Sequence, residues 1–261
     1  MSSLEMKVSI ITPSYNSAKF IEKTIKSVLL QTHTNWEMLI VDDCSTDDSI
    51  SLIQSYINKD ARIKLIQLQK NSGAAVARNK GIQHAQGRFI AFLDSDDSWS
   101  EEKLEKQVHF MLENGYAFTY TAYHKVNELD EIIGNMYIPD KVNYHQLLKT
   151  CIIGCLTAMY DVHKLGKIEF PLIRKRQDFA LWLKILRQES FAYGLQEDLA
   201  SYTVRSDSIS ANKFKAAQYN WQLYRHIEKL SLLKSCYYFF HYAVKGIIRS
   251  KFPKVADLLK I

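Results

Sequence analysis

Short apolar runs alternate with helical segments between residues 7 and 93. The runs are rich in Ile and Val and are nearly continuous, which is typical of strands buried on both faces of a parallel sheet. The predicted strands are VSIIT, EMLIVD, IKLIQL and RFIAFLD, and the predicted helices span residues 18–31, 48–57 and 74–85. This order of βαβ units predicts an α/β fold with an open, mostly parallel sheet flanked by helices on both faces.

Beyond Ser98 the pattern is less regular. A helix is predicted over residues 101–113, opened by a capping box of Ser98 and Glu101. A mixed region follows to about residue 204, with helical spacing at residues 178–187 and again from about residue 216 to the end. We expect this second half to complete the sheet and to lead into a helical tail.

The composition favours one continuous folded unit in a reducing compartment. The 261 residues are 47% hydrophobic, which is enough for a core, and the nine glycines and four prolines form no linker or repeat. The Cys151/Cys155 pair has no second Cys or His pair at zinc spacing, so plain buried thiols are expected at Cys44, Cys151, Cys155 and Cys236. The chain reaches its first predicted strand without the long apolar segment of a signal peptide, which predicts a cytoplasmic protein.

Positive charge is concentrated near the C-terminal end. The net charge is +6, and residues 211–261 hold ten Lys and Arg against two acids. The apolar residues interleaved with these cations are Leu230, Leu233, Tyr237, Tyr238, Phe240, Val244, Ile247 and Ile248. They form no apolar stretch of about 20 residues that could span a bilayer. The pattern predicts a helix lying in the headgroup region of an anionic inner membrane, although the same stripe also suits packing on the rest of the chain.

Nucleic acid is a disfavoured anionic partner. The rest of the chain shows no basic stripe and no nucleic-acid-binding motif. The body of the chain is also close to neutral, with 24 basic and 26 acidic residues among residues 1–210. The basic tail is therefore interpreted without a role for DNA or RNA.

Three polar clusters follow three of the predicted strands. They are residues 12–16 (Thr-Pro-Ser-Tyr-Asn), residues 42–47 (Asp-Asp-Cys-Ser-Thr-Asp) and residues 94–97 (Asp-Ser-Asp-Asp). In an open parallel sheet, ligands bind beyond the carboxyl ends of the strands. The three clusters are therefore expected to converge on one edge of the sheet.

The sequence Asp94-Ser95-Asp96 places two carboxylates on a tight turn after a buried strand. Paired negative charge is unfavourable there, and a divalent cation with oxygen ligands, Mn²⁺ or Mg²⁺, would neutralise it. Capping of the following helix by these acids is the alternative. The chain has neither a G-x-x-x-x-G-K-[ST] loop nor a G-x-G-x-x-G turn after a strand, so a diphosphate ligand would depend on a metal bridge.

Five ordered segments resemble glycosyltransferase family 2, the inverting enzymes of the A-type nucleotide-diphospho-sugar transferase fold. They are VSIITPSYN (residues 8–16), SVLLQTHTNWEMLIVDDCSTDDS (27–49), NSGAAVARNKGI (71–82), GRFIAFLDSDDSW (87–99) and QDFALWLKIL (177–186). Together they cover the first hundred residues almost continuously and add one anchor near residue 178. Five motifs in order are far more specific than any one of them, which favours the metal interpretation of the Asp cluster.

The resemblance implies a set of donor-binding residues. They are Thr12, Pro13, Tyr15, Asn16, Asp43, Arg78, Asp94, Ser95 and Arg205. Tyr15 would offer its ring to a uracil base, and Asp43 would accept a hydrogen bond from the pyrimidine nitrogen, with Asp42 as its structural partner. Arg78 would contact the diphosphate or a base edge, and Asp94 would lie on the ribose side.

The resemblance also implies the catalytic groups. Asp96 would be the direct metal ligand, and Asp97 would add a water-mediated contact or cap the next helix. Asp178 would be the general base, at the start of an amphipathic helix, and the usual Glu-Asp pair of the family is Gln177-Asp178 here. Arg205 lies in a segment, residues 202–210, that resembles a loop closing over the diphosphate, where many members carry His.

The implied function is transfer of a sugar from a nucleotide-diphospho-sugar, a UDP-sugar by preference, to a polyprenyl-diphosphate-linked glycan acceptor. Such acceptors serve bacterial O-antigen, capsule or cell-wall polysaccharide synthesis at the cytoplasmic face of the inner membrane. Residues 1–210 would form the glycosyltransferase domain, with residues 1–100 binding the nucleotide sugar and residues 101–210 binding the acceptor. Residues 211–261 would form the basic amphipathic helical tail.

Two alternatives stay open at this point. A sugar nucleotidyltransferase uses a similar sheet but usually carries a Gly-rich N-terminal loop with Arg and Lys, which is absent here. A catalytically inactive nucleotide-sugar or glycan-binding module is the second alternative. The intact Asp94, Asp96 and Asp178 argue against it.

Overall fold

Parallel strands and connecting helices alternate through the first half of the computed structural model, which describes residues 6–205 and 213–251. The strands are β1 (Val8–Ser14), β2 (Trp36–Asp42), β3 (Ile63–Gln67), β4 (Phe89–Phe92), β5 (Ser98–Trp99), β6 (Phe118–Val126), β7 (Ile132–Met136), β8 (Lys141–Val142), β9 (Met159–Asp161) and β10 (Ala192–Thr203). The helices are α1 (Ile21–Leu29), α2 (Ser49–Ile57), α3 (Ala74–His84), α4 (Lys103–Asn114), α5 (Tyr144–Lys149), α6 (Val162–Leu165), α7 (Gln177–Ile185), α8 (Lys213–Gln222) and α9 (Leu232–Lys251).

One mixed sheet organises these elements, in the order β3-β2-β1-β4-β9-β6-β10-β5. The block from β3 to β4 is parallel throughout, as predicted from its βαβ pattern. The strand β9 then pairs antiparallel with both β4 and β6, while β6 and β10 are parallel to each other. The second half therefore completes the sheet, as expected, and the insertion of β9 makes the sheet mixed.

The sheet is covered on both faces, which explains the continuous apolar runs. Every residue of β1, β2 and β4 is buried. Adjacent residues of β1 serve opposite cores, because Ile10 packs with Met38 on one side of the sheet and Ile11 packs with Phe92 on the other. Strands between two helical layers read as uninterrupted hydrophobic sequence for this reason.

Helix α3 packs unusually close to β1. A Cβ atom at Gly81 would lie 2.7 Å from Cγ2 of Ile11, so only glycine fits there without displacement. The helix begins after Gly73, whose φ of 89° is also unfavourable for other residues. This close approach places Arg78, one turn before Gly81, near the carboxyl edge of the sheet.

The predicted capping box at Ser98 is wrong. Ser98 belongs to β5 and pairs with Ser201 of β10, so its backbone serves the sheet and does not start a helix. Helix α4 begins later, at Lys103, and its N-cap residue Glu102 makes no side-chain capping bond. The short antiparallel pairing with a strand a hundred residues away gave no local signal.

The C-terminal helices pack with one face on the rest of the chain. Tyr224, in a π-helical turn over Leu223–Ile227, is fully buried and donates to the Leu148 carbonyl at 2.5 Å. Tyr238 of α9 is also buried, and its hydroxyl lies 2.7 Å from Nδ1 of His145. The opposite face of α9 exposes Leu233, Tyr237, Phe240, Val244 and Ile247. Within the described residues, no helix is both long enough and apolar enough to cross a bilayer.

Candidate active site

The turns after β1 and β2 are tied to each other by side-chain hydrogen bonds. Asn16, which has a positive φ of 48°, accepts from the backbone N–H of Thr46 through its amide oxygen at 2.8 Å. Its own N–H donates to the hydroxyl of Ser45 at 2.9 Å. Asn16 was predicted to bind the donor, and the structure gives it a framework contact between two loops. The paired loops leave Tyr15 at the surface, 52% exposed.

Both acids after β2 also hold the framework. Asp42 accepts from the backbone N–H of Ser45 at 2.9 Å, in agreement with its predicted structural role. The two carboxylate oxygens of Asp43 accept from the N–H groups of Ser72 and Gly73, at 2.6 and 2.8 Å. Asp43 is only 4% exposed and fixes the loop that starts α3. A hydrogen bond from a nucleobase would have to use its remaining lone pairs.

A cleft of about 610 Å³ opens where the strand ends meet α7 and α8. Six of the predicted site residues line it: Tyr15, Arg78, Asp94, Asp96, Asp178 and Arg205. Its other lining residues are Ala74, Cys155, Arg174, Lys175, Arg176, Gln177, Tyr202, Thr203, Ala216 and Tyr219. Thr12 and Pro13 are buried within β1, and Ser95 lies in the turn between the two cleft aspartates. The structure thus brings the predicted acids and arginines together and places these other three beside or beneath them.

Arg78 links the strand end to helix α7. Its Nη2 donates to Oδ1 of Asp94 at 2.6 Å, and its Nη1 donates to Oε1 of Gln177 at 3.1 Å. Burial alone would lower the pKa of this guanidinium, but the charges of Asp94 and Asp178 outweigh burial and raise it. Arg78 is therefore a fixed cation. The contact also gives Gln177 a defined role, since a neutral amide here orients the arginine.

Negative charge is crowded at the turn after β4. Burial and the neighbouring charge of Asp94 raise the pKa of Asp96, and its contact with Nη1 of Arg205 is long, at 3.5 Å. Asp97 points away from the cleft, is 2% exposed and accepts from the backbone N–H of Thr203 at 2.9 Å. Its bond to β10 differs from both predicted roles, a water-mediated contact or a helix cap. Asp96 is thus the carboxylate of this turn that lines the cleft with only a long contact to a cation.

Asp178 lies in the first turn of α7, on the cleft wall, and is half-buried. The helix begins directly after Arg176, whose φ of 63° turns the chain into it. Its apolar face is fixed in the core, where Trp182 is fully buried and contacts Phe92 and Phe170 through their rings. A rigid helix thus holds this carboxylate in the cleft that the Asp94–Asp96 turn also lines.

The family model described as Glycosyl transferase family 2 matches residues 9–160 of the chain. The chain belongs to this family. Relatives include TuaG of Bacillus subtilis, named as a teichuronic acid biosynthesis glycosyltransferase, which is 49% identical over 92% of this chain and 96% of its own length. Another is WfgD of Escherichia coli, named as a UDP-Glc:alpha-D-GlcNAc-diphosphoundecaprenol beta-1,3-glucosyltransferase, at 41% identity over 94% of this chain and 95% of its own length.

Solved structures share the fold of this glycosyltransferase at lower identity. TarS of S. aureus in complex with UDP-GlcNAc matches with a TM-score of 0.71 and 23% identity, over 98% of this chain and 76% of that chain. The mannosyltransferase PcManGT of Pyrobaculum calidifontis, in complex with GDP-Man and Mn²⁺, matches with a TM-score of 0.70 and 18% identity, over 97% of this chain and 78% of that one. Both confirm the A-type fold that the motifs predict.

The acids of the glycosyltransferase fit a divalent cation shared with a phosphate ligand. Among the described residues, no three His, Cys, Asp or Glu side chains form a self-sufficient metal site. Mg²⁺ is typically held by one or two carboxylates together with substrate phosphates. Asp96, with the second oxygen of Asp94, provides that number of carboxylates on an open cleft wall. The crowded negative charge that raises the pKa of Asp96 is the charge that a cation would neutralise.

Several cleft residues were not predicted from the sequence. Burial raises the pKa of the Cys155 thiol, so this cysteine stands beside the acids as a neutral group. The expectation of a buried thiol is wrong for Cys236, which is exposed. Tyr219 comes from α8, and no local pattern marked it as part of the cleft. The run Arg174-Lys175-Arg176 could have been noticed in the sequence, because three consecutive cations lie two to four residues before the predicted base. Residues 206–210 of the predicted closing loop lie outside the described residues.

Proposed function

We propose that this family 2 member is an inverting glycosyltransferase that moves a sugar from a UDP-sugar to a polyprenyl-diphosphate-linked acceptor. One observation carries the proposal. Arg78, Asp94, Asp96 and Asp178 line a single cleft, in which Arg78 contacts both Asp94 and Gln177, the residue next to Asp178. Two relatives are named for transfer from UDP-Glc to a diphosphoundecaprenol-linked sugar, which supports the same donor and acceptor classes.

Asp96, assisted by Asp94, would hold Mn²⁺ or Mg²⁺ against the donor diphosphate. When bound, the cation supplies Lewis-acid charge neutralisation to the departing diphosphate. Arg78 holds Asp94 in place through their 2.6 Å bond, which keeps one carboxylate oxygen turned towards α3. Tyr15, half-exposed at the end of β1, offers an aromatic face to the base of the nucleotide.

Asp178 would accept the proton of the acceptor hydroxyl as that oxygen attacks the anomeric carbon. Attack comes from the side of the cleft opposite the diphosphate, so a single displacement inverts the anomeric centre. The two roles fall to different elements. The acids after β4 would face the leaving group, and the acid of α7 would face the nucleophile.

The exposed face of α9 supports a peripheral membrane role at the cytoplasmic face of the inner membrane. Five large apolar side chains recur along one face at helical spacing: Leu233, Tyr237, Phe240, Val244 and Ile247. The cations Lys229, Lys234 and Lys245 come from the same segment of chain. An apolar stripe beside lysines suits the interface of an anionic bilayer, where a lipid-linked acceptor would also reside.

The transferase proposal is tested by product formation with purified protein. A panel of UDP-, GDP- and dTDP-sugars is offered with a GlcNAc-diphosphate-alkyl acceptor, in the presence of Mn²⁺, Mg²⁺ or EDTA. We expect one UDP-sugar to give a product whose new linkage is inverted by NMR, and EDTA to abolish its formation. Release of a nucleotide monophosphate, transfer with retention or undiminished transfer in EDTA would each contradict the proposal.

The membrane role is tested by vesicle flotation. A Phe240→Ser/Ile247→Ser protein should bind anionic phosphatidylglycerol vesicles several-fold less than the wild type, and binding should weaken with salt because the lysines contribute. The matched control is Leu129→Ser/Ile132→Ser, which removes two equally exposed apolar side chains from the β6–β7 hairpin. Deleting the tail is a poorer test, since it would also remove the buried Tyr224. A wild-type dimer broken by the α9 changes would instead mark this face as a protein interface.

A further inference from the structure

The segment Arg174-Lys175-Arg176 forms a basic loop on the wall of the cleft, directly before the helix that carries Asp178. Arg174 is exposed, and Lys175 and Arg176 are half-buried. None of the mechanism described above uses them. Cations gathered on a cleft wall raise the local concentration of anions, so the basic loop is suited to a second anionic group in the bound state.

The charge balance of the cleft identifies how much anion is missing. Among the described lining residues there are five cations, Arg78, Arg174, Lys175, Arg176 and Arg205, and three carboxylates, Asp94, Asp96 and Asp178. A divalent cation and the dianionic diphosphate of a UDP-sugar cancel each other and leave this excess unchanged. The remaining two positive charges match in number the two negative charges of one further diphosphate diester. Arg78 and Arg205 are already engaged with Asp94 and Asp96, so the excess lies on the basic loop.

The basic loop is held in place by the C-terminal helices. Nη2 of Arg176 donates to the hydroxyl of Tyr242 on α9 at 2.6 Å, and its guanidinium lies 5.7 Å from the centre of that ring. Nζ of Lys175 lies 5.2 Å from the ring centre of Tyr219 on α8. These contacts orient two cations at the rim of the cleft on the side of α9. An oriented pair of cations is suited to binding a diphosphate.

We propose that Arg174, Lys175 and Arg176 bind the diphosphate of the lipid-linked acceptor. The inference rests on the proposed function, since it needs an acceptor that carries a diphosphate. In an acceptor with a single sugar on the diphosphate, as in the name of the relative WfgD, the attacked hydroxyl and the diphosphate belong to the same sugar ring. Asp178 and the basic loop are likewise separated by a single residue, Gln177. The lipid would leave the cleft towards α9, because Tyr242 of that helix contacts Arg176.

The decisive experiment compares two acceptors that differ in the diphosphate alone. One is GlcNAc-α-diphosphate with a short alkyl chain, and the other is the neutral alkyl GlcNAc glycoside. For the wild type, the ratio of kcat/KM for the diphosphate acceptor to that for the neutral one should be large. In Arg174→Gln/Lys175→Gln this ratio should fall by about tenfold or more, through acceptor KM, because charge-assisted hydrogen bonds are lost.

Two further variants complete the test. Arg174→Lys/Lys175→Arg keeps both charges and should recover most of the ratio, and Lys59→Gln, an exposed lysine at the end of α2, should not alter it.

A rise in the KM for the UDP-sugar with an unchanged acceptor ratio would assign the basic loop to the donor and overturn the inference. A wild type that transfers equally well to both acceptors would overturn it too, while leaving glycosyl transfer itself established. Transfer to neither acceptor would instead remove the proposed function.

Discussion

The two walls of the cleft are built in different ways. On the strand-end wall, hydrogen bonds such as those of Asn16 with Thr46 and of Asp43 with Ser72 join successive loops of the chain, about 30 residues apart. On the helical wall, the segment before α7 is tied to the C-terminal helices, as in the contact of Arg176 with Tyr242, 66 residues away. Under the proposed function, the first wall would be a rigid frame for the nucleotide and the metal. The second wall would receive the acceptor.

The largest effect is expected from removing the metal ligand of the rigid wall. Asp96→Ala should lower kcat by about a thousandfold or more, since a metal ion stabilises the transition state by several kcal/mol. The free energy of unfolding of the metal-free protein should not fall, because burial and the charge of Asp94 raise the pKa of Asp96 and so disfavour its ionised form in the folded state. Initial rates and urea denaturation measure the two quantities.

A variant that keeps more than about a tenth of the wild-type rate, which corresponds to ~1.4 kcal/mol in the barrier, would remove Asp96 from the metal site. Asp198→Ala is the matched control. It deletes a carboxylate of β10 that is 47% exposed and pairs with His124, outside the cleft lining. Its rate should be close to that of the wild type.

On the helical wall, loss of the proposed base should lower turnover and leave donor binding unchanged. Asp178→Asn preserves the shape of the side chain and should lower kcat by ~10²-fold or more, the usual size of general-base catalysis. The KM for the UDP-sugar and the dissociation constant of UDP should stay near their wild-type values. If UDP binding is lost while turnover at saturation is nearly normal, Asp178 belongs to the donor site and the walls have been assigned wrongly.

The same contrast explains how far the sequence could be interpreted. The strands β1 to β4 and their helices were predicted because each signal is local, namely an apolar run followed by polar residues. The Ser98 capping box failed because β5 is defined by its pairing with Ser201, which no local pattern reveals. Tyr219 and Tyr242 were missed as neighbours of the active site for the same reason. Residues of the rigid wall are recognisable from motifs, and so is Asp178, whereas the other residues of the helical wall depend on tertiary contacts.

The free energy of unfolding should depend on pH through Glu37, which lies in the sheet near the amino end of β2. This side chain of β2 is 2% exposed and accepts from Ser9, the backbone of Gln86 and Lys64, at 2.7 to 2.8 Å. Burial would raise the pKa of Glu37, but the hydrogen bonds and lysines outweigh it and lower the pKa below its ordinary value of 4.5. Because the folded-state pKa is the lower one, this stabilisation is present above about pH 4.5 and is lost as the pH falls further.

Glu37→Gln should therefore reduce the free energy of unfolding by about 2 kcal/mol at pH 7, the value of hydrogen bonds to a buried charge. The difference from the wild type should shrink as the pH falls through the folded-state pKa of Glu37. Urea denaturation at several pH values measures it. Glu22→Gln, on the exposed face of α1 beside Lys26, is the control and should have a smaller effect. A difference that persists unchanged in acid would show that packing rather than charge is responsible.

The smallest effect should arise from the contact that joins α9 to the basic loop. Tyr242→Phe removes the hydroxyl that accepts from Arg176 at 2.6 Å and leaves the ring in place. A hydrogen bond of this kind contributes about 0.5–1.5 kcal/mol, so we expect the KM for the diphosphate acceptor to rise by roughly two- to tenfold. The KM for the UDP-sugar should not change, since the strand-end wall is fixed by its own hydrogen bonds. Steady-state kinetics with each substrate varied in turn separates these two effects.

The control is Tyr237→Phe, one turn earlier on the exposed face of the same helix, which should leave both constants unaltered. Equal changes in both KM values for Tyr242→Phe would mean that the two walls respond as one unit, and the contrast between a rigid donor frame and an adaptable acceptor side would no longer hold.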